Sequence, residues 1–420
     1  MLKAPSVDDA NLALVLSGGG ARAAYQVGLL RYLAARYPDF APRILTGVSA
    51  GGIIATSLAS REGTFGDAVA RLHESWRALR IEDVFRVDPG DLASRVTRWG
   101  FRLVSAGAPG TPRARSLLDT TPLRELLTRT LAPAPDGTLR GIARNLDAGT
   151  LRAIALTASS YTTGQSVTWV QSVKGCDVMT WERPQRRSVD GSLRVDHVMA
   201  SAALPFFFPA VEVDGAWYGD GGIRLTAPLS PAVHLGARKI IAVSTRYPRG
   251  RDEAALPAIA GYPPPAQVAG VLLNAIFLDL LDADAMRLEQ LNALIDRLPP
   301  GEREDLRHVE LLVLRPSVDL GRLANEFEAD LPRTFRFLVR GLGSRETRSN
   351  DMLSLLMFQP DYIARAIDLG ESDARAHSED IDAFLRGETE SRVRETVRRK
   401  LARYLGVIGK RGRIRFRLQD

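Results

Sequence analysis

Arg43-Ile44-Leu45-Thr46-Gly47-Val48-Ser49-Ala50-Gly51-Gly52-Ile53-Ile54 runs from a short apolar segment through a GxSxG element into a second apolar segment. Arg43 to Thr46 reads as a buried strand, Gly47 to Gly51 as a tight turn, and Ile53 onward as a helix. Glycines two residues either side of Ser49 leave room for a turn that would otherwise clash, and such a turn pushes the serine hydroxyl into the open. The helix that follows aims its N-terminal dipole at that hydroxyl. Ser49 is therefore the candidate nucleophile, with Gly47 and Gly51 shaping its elbow.

The same strand, turn, helix pattern precedes this one. Leu12 to Leu16 is an apolar run that ends in Ser17 and the glycines Gly18, Gly19 and Gly20, and Ala21 to Tyr37 carries apolar residues at helical spacing through Val27, Leu30 and Leu33. Gly20 lies 29 residues before Ser49 (49 minus 20). A glycine-rich loop exposes backbone N–H groups that can hold an oxyanion, and a phosphate-binding turn is the competing reading. Against the latter, Gly18-Gly19-Gly20-Ala21-Arg22 has neither the GxGxxG spacing nor the Lys-Ser/Thr ending of a P-loop. Further strands are expected at Leu151 to Thr157, Ser166 to Gln171, Lys239 to Ser244 and His308 to Leu314. Strands interleaved with helices imply a largely parallel sheet covered on both faces.

A serine nucleophile needs a base. The chain has five histidines, His73, His197, His234, His308 and His377, and none stands in a setting that announces that role. Asp220, in Tyr218-Gly219-Asp220-Gly221-Gly222, is the other candidate, because flanking glycines let a carboxylate approach another loop closely and a carboxylate within hydrogen-bond reach can take the serine proton. A hairpin turn at Asp220-Gly221 is the plainer reading of the same residues.

GGGAR, GVSAG and DGG, in this order and with the last preceded by Ala200-Ser201-Ala202-Ala203-Leu204-Pro205 and Phe208-Pro209, resemble the patatin-like phospholipase family. The motif-bearing part runs from Asn11 to Ile223. The resemblance implies a three-layer α/β/α fold with a largely parallel central sheet. It also implies a Ser/Asp dyad, so that Ser49 inherits the nucleophile role, Asp220 the base role, and Gly18, Gly19, Gly20 and Arg22 the oxyanion hole. It implies hydrolysis of fatty-acyl esters of phospholipids or other glycerolipids, with no cofactor. Family members commonly carry glycine directly after the motif arginine, where this chain has Ala23.

Composition sets the remaining expectations. The 420 residues are 45% hydrophobic and 25% charged, within the range of globular proteins. Residues 1–330 are expected to form the catalytic domain, and 331–420 a helical C-terminal region. Val268 to Leu281 is the longest apolar candidate, interrupted by Asn274 and Asp279, and reads as no membrane span and as a core helix rather than an interfacial one. No signal peptide is legible, which with the single Cys176 points to the cytoplasm. No histidines and carboxylates cluster at metal-ligand spacings, so no metal is expected. The net charge of +7 gathers in the tail 390–418, where Arg392, Arg394, Arg398, Arg399 and Lys400 begin a run opposed by few carboxylates. That tail, and the amphipathic segment 90–112 with Leu92, Val96, Trp99 and Leu103 on one face, suit peripheral contact with an anionic membrane surface as a cap or lid. Phe206, Phe207 and Phe208 read as core or as lining of an acyl pocket. Two alternatives stay open on the residues: an α/β-hydrolase esterase with a Ser-Asp-His triad whose histidine is His308 or His377, and a weakly catalytic membrane-binding or nucleic-acid-binding protein. No nucleic-acid partner is expected on the first reading.

Overall fold

The computed structural model describes residues 11–388 apart from 87–93, 95–96, 98–115, 175–179, 256–258, 260, 278–279, 304–305, 342, 344–346 and 348. Cys176, the tail 390–418 and, except for Ser94 and Thr97, nearly all of the amphipathic segment from Asp91 to Ser105 lie outside the described residues.

Ten strands form one mixed sheet: β1 (Leu12–Leu16), β2 (Ile44–Val48), β3 (Ala153–Ser160), β4 (Ser166–Ser172), β5 (Glu182–Arg183), β6 (Arg186–Asp190), β7 (Val211–Val213), β8 (Ala216–Asp220), β9 (Lys239–Val243) and β10 (Glu310–Leu314). Their order is β10-β9-β1-β2-β3-β4-β6-β5, and the β7–β8 hairpin joins β3. From β10 to β3 every pairing is parallel, while β4 and β8 both run antiparallel to β3. The central parallel strands β1, β2 and β3 are buried along their whole length because both faces are covered. Leu12, Leu14 and Leu16 of β1 enter the larger core on one face, and Ala13 and Val15 enter a second core on the other. This two-residue alternation divides the molecule into three layers.

The framing helices are α1 (Ala24–Arg36), α2 (Ala50–Ala59), α3 (Phe65–Arg77), α4 (Thr121–Leu131), α5 (Arg140–Asp147), α6 (Val195–Ser201), α7 (Pro265–Phe277), α8 (Leu280–Ile295), α9 (Asp351–Leu356) and α10 (Pro360–Ala376). All but α7 and α8 contribute buried residues to the larger core. The C-terminal helices are part of that core. Gly28 of α1 sits beneath the Ile367 carbonyl and Gly370 of α10 beneath the Tyr25 carbonyl, so close that a Cβ at either glycine would overlap the oxygen. Two helices can approach this nearly only where side chains are absent.

One expectation is corrected, and one alternative reading is set aside. The first concerns α7, whose outer face leaves Val268, Val271 and Leu272 about half exposed, at 47%, 56% and 57%. Gly270 on the opposite face packs on Asp351. The helix is largely apolar but leaves one side of apolar residues uncovered, so it is not a core helix. By length and composition alone Pro265–Ile295 could cross a bilayer, yet Leu281, Ala285 and Ile295 of its second half are buried, the first two in the smaller core. The second concerns the hairpin turn. It falls at Asp214-Gly215, with φ of 49° and 77°, rather than at Asp220-Gly221. Asp220 ends β8 instead.

Candidate active site

β3 brings the distant motifs together. Along one of its edges, Val48, the last residue of β2, pairs with Thr157, and Asp220, the last residue of β8, pairs with the next residue, Ala158. β2 and β8 therefore meet end to end on a single edge, since β4 occupies the other. The residue after Val48 is Ser49. The register of one strand thus sets side by side two residues far apart in sequence.

Ser49 occupies a strained turn, with φ 56° and ψ −132°, between β2 and α2. A left-handed backbone at a serine is a conformation that surrounding structure must enforce. Gly47 and Gly51 make it possible, because a Cβ on Gly47 would stand 2.5 Å from the Gly51 carbonyl oxygen and one on Gly51 would overlap the backbone of Leu16 and Ser17. The serine is 7% exposed and lies at the N-terminus of α2.

Asp220 is fully buried. Its Oδ1 accepts from the Gly222 N–H at 2.9 Å, and Oδ2 has no hydrogen bond of ordinary geometry. Burial pushes the carboxyl up to about 7, while the neighbouring Ser49 hydroxyl and the Gly222 N–H favour the anion and hold it down. A carboxylate with an unpaired oxygen beside a hydroxyl, half-ionised near neutral pH, has the geometry and the proton affinity of a base. That the Ser49 contact falls short of a well-formed hydrogen bond is common in unliganded sites.

The segment Ala200 to Pro205 ties both residues in place. Ser201 Oγ accepts from the Ser49 N–H at 3.0 Å and donates to the Thr157 carbonyl at 2.7 Å, and the Asp220 N–H donates to the Ala203 carbonyl at 2.9 Å. Ser201 belongs to the Ala200 to Pro205 motif, whose sequence alone assigns it no role. Its signal was its place in that motif, and only the fold shows what it holds.

The glycine-rich loop lies against the serine. A Cβ on Gly18 would come within 3.1 Å of Ser49 Cβ. Gly19 and Gly20 have φ of 148° and 53°, and Gly20 faces the Leu355 carbonyl with no room for a side chain. Thr245, just past the end of β9, donates its hydroxyl to the Gly18 carbonyl at 2.7 Å. Arg22 turns into the protein, where its guanidinium donates to Ser354 Oγ at 2.6 Å and to Asp351 Oδ1 at 2.7 Å. Ala23 is helical at φ −65°, so the position needs no glycine. Thr245, Asp351 and Ser354 carried no sequence signal.

The histidines lie elsewhere in the fold. His308 pairs with Asp296 at 3.0 Å ahead of β10, at the amino-terminal end of the parallel strands, whereas Ser49 follows their carboxyl-terminal end. His377 pairs with Asp380 on the surface. His197 is pushed down to about 4 by burial and caps its own helix through the Arg194 N–H. His234 stacks on Trp181, and His73 meets Arg31. Among the described residues no group of three or more His, Cys, Asp or Glu side chains could hold a metal ion.

From Ser49 a cavity of about 740 Å³ extends between α2, α3, α4 and α5, with apolar walls that include Ile53, Leu72, Trp76 and Leu127. Of the three phenylalanines, Phe208 lines it, Phe207 packs against the core and Phe206 is 70% exposed.

The model of the patatin-like phospholipase family matches residues 14–233. Comparison with curated proteins finds no match. Solved structures similar to the chain include VipD from Legionella pneumophila, at 14% identity and a TM-score of 0.32, covering 86% of this chain and 67% of that one. Human GIVD cytosolic phospholipase A2 in complex with methyl gamma-linolenyl fluorophosphonate is 14% identical with a TM-score of 0.43, covering 92% of this chain, which spans 60% of the human protein's length. ExoU in its heterodimeric complex with SpcU, from the type III secretion system of Pseudomonas aeruginosa, is 16% identical with a TM-score of 0.26, covering 85% and 74%. The family match takes in the glycine-rich loop, the serine elbow and the DGG segment over just over half of the sequence, and the chain therefore belongs to the patatin-like phospholipase family of lipid acyl hydrolases.

Proposed function

We propose that the protein hydrolyses fatty-acyl esters of phospholipids or other glycerolipids through a Ser49/Asp220 dyad. The observation that carries this reading is the end-to-end placement of β2 and β8 on β3, which sets a buried carboxylate with an unpaired oxygen beside a serine in a strained elbow. Ser49 Oγ attacks the ester carbonyl carbon as its proton passes to Asp220. The oxyanion develops against the backbone of Gly18, Gly19 and Gly20 and the N-terminus of α2, and Arg22 supports that loop from behind. Each well-placed donor to such an oxyanion is worth about 3 kcal/mol. Collapse of the tetrahedral intermediate breaks the ester C–O bond, and the leaving alkoxide takes the proton from Asp220. A water then attacks the acyl-Ser49 ester, giving up a proton to Asp220, and that proton returns to Ser49 as the fatty acid leaves.

Peripheral contact with an anionic membrane surface belongs to the same reading, supported by the arginines of 390–418, and so does a cytoplasmic location, which the single Cys176 suits. Each basic residue near such a surface contributes about 1 kcal/mol. Truncation after Gly387 is expected to weaken binding to anionic vesicles and to leave hydrolysis of a soluble short ester in place.

The dyad is tested with a fluorophosphonate probe, which should label Ser49, with Ser49→Ala losing both labelling and esterase turnover. Full activity in Ser49→Ala would overturn the proposal. Asp220→Asn should lower turnover by orders of magnitude with an unchanged circular dichroism spectrum.

A further inference from the structure

Between Glu253 and Asp279 the sequence carries no charged residue, although 25% of the chain is charged. α7 lies within this interval. Its exposed positions include Pro265, Val268, Val271, Leu272 and Ala275, at the three- and four-residue steps of one helical face. None of these side chains can donate or accept a hydrogen bond. Tyr262, 93% exposed, stands just ahead of the helix. The stripe gives way on α8, where Arg287 and Glu289 are exposed beside Met286.

The inner face of α7 fixes where this stripe stands. Gly270 packs on Asp351, the partner of Arg22 in the glycine-rich loop. Ile276 shares a small cavity with Ser17 and Gly18, just past the end of β1, and with Gly222 of the DGG segment. α7 therefore lies at the carboxyl-terminal end of the parallel strands, the end that carries Ser49, and turns its aliphatic side outward there. Its 13 residues span roughly 20 Å, short of a bilayer's hydrocarbon core of about 30 Å. The burial of Leu281 and Ala285 holds the next helix against the protein.

Two kinds of cover would take such a face out of water. Protein interfaces set aromatic and arginine anchors among direct hydrogen bonds, at about one bond per 100–200 Å². The α7 stripe offers no arginine, no aromatic ring and no hydrogen-bonding side chain. The boundary between lipid headgroups and acyl chains instead favours an aliphatic helix face with an aromatic side chain near its edge, and Val268, Val271, Leu272 and Tyr262 supply both. The chain belongs to a family of lipid acyl hydrolases, so a lipid phase is where its substrates are met.

We propose that α7 is an interfacial docking helix, which lies in the plane of a lipid surface with Val268, Val271 and Leu272 among the acyl chains and sets the Ser49 end of the sheet against that surface. The inference rests on the lipid-hydrolase reading and is independent of which residues form the dyad.

Sedimentation of the full-length protein with phosphatidylcholine vesicles tests it. Neutral lipid offers the basic tail no anionic partner, and about 0.5 M salt screens exposed charges, so the binding that persists is the apolar contact. Substituting Val268→Glu and Leu272→Glu together should weaken it about tenfold or more, because each change puts a charge where aliphatic surface stood. Leu272→Ile should bind as the wild type does. Thermal melts and turnover of a soluble short-chain ester should be unchanged, since neither side chain belongs to the core. In a Cys176→Ser background, a polarity-sensitive dye on Leu272→Cys should shift to the blue when vesicles are added. The same dye on Arg297→Cys, exposed beside the Asp296–His308 pair at the opposite end of the sheet, should not. A shift at both positions or at neither, or full vesicle binding by the double glutamate variant, overturns the docking helix. So does a lipid-free dimer, measured by light scattering, that the glutamates dissociate, which would assign the face to a second copy. Glutamate-sensitive vesicle binding in a protein whose Ser49→Ala variant stays fully active would remove the dyad and keep the helix. Fluorophosphonate labelling of Ser49 without α7-dependent binding would do the reverse.

Discussion

The Arg22 guanidinium, in the glycine-rich loop beside Ser49, is 2.7 Å from the carboxylate of Asp351, far along the chain. Both side chains are largely buried, at 3% and 10% exposure. The loop that faces Ser49 is thus braced by α9, which lies beyond the segment matched by the family model. Breaking a buried ion pair by removing one partner strands the other charge. Asp351→Ala is expected to lower stability by about 3–5 kcal/mol and, under the proposed oxyanion role of the loop it frees, to reduce kcat more than it raises KM. Asp351→Asn, which keeps an acceptor for Arg22, should lose less of both. Denaturant titration together with steady-state kinetics checks this, and an Asp351→Ala protein as stable and active as wild type would contradict it.

Under the proposed dyad, the carboxyl of Asp220 sets the pH dependence. Burial raises it from 3.8 to about 7, and the proposed dyad requires the ionised form, so kcat/KM should climb with pH along an acid limb centred near 7. The stability effect has the opposite sign. Between 3.8 and about 7 the folded protein holds a proton that the unfolded chain has released, so this group's contribution to stability falls as pH rises through that window and is flat above it. The full effect is on the order of 4 kcal/mol. Asp220→Asn should therefore gain in melting temperature relative to wild type as pH rises from 4 to about 7, while losing activity. A melting-temperature difference independent of pH would show that the carboxyl is not raised.

Ser201 joins the Ser49 N–H to the Thr157 carbonyl through one buried hydroxyl. Ser201→Ala leaves both groups unpaired, at about 1–3 kcal/mol of stability, and lets the elbow relax. The expected signature is a fall in kcat with little change in KM, restored in part by Ser201→Thr. If alanine and threonine variants behave alike, the hydroxyl does not hold the elbow.

The crossing of α1 and α10 predicts that the C-terminal helices are not separable. Gly370→Ala places a methyl group against the Tyr25 carbonyl and 2.9 Å from the Leu29 N–H. Overpacking of this kind typically lowers stability by about 1–3 kcal/mol. A single cooperative unfolding transition, shifted to lower temperature for both far-ultraviolet dichroism and ester hydrolysis, is the outcome to look for. Loss of helical signal with the active site intact would mean that the C-terminal helices unfold on their own.

What the sequence determined by itself is local. The apolar run of β1, the elbow at Ser49, the glycine loop and the helix after each follow from backbone conformations and contacts within a few residues. Gly47, where a Cβ would meet the Gly51 carbonyl, is therefore legible without a distant partner in view, whereas Gly51 and Gly20 are also held by Leu16, Ser17 and Leu355. The strands at 166–172, 239–243 and 310–314 emerge from their apolar runs for the same reason. Tertiary structure decided the rest. That Asp220 stands beside Ser49 depends on the register of two strands along β3. That Ser201, Thr245 and Asp351 brace the site depends on side chains reaching backbone or charge far along the chain, which a serine, a threonine or an aspartate does not advertise. That α7 is exposed rather than buried was hidden because hydrophobicity records what a helix can bury, and only packing settles which of its faces finds a neighbour.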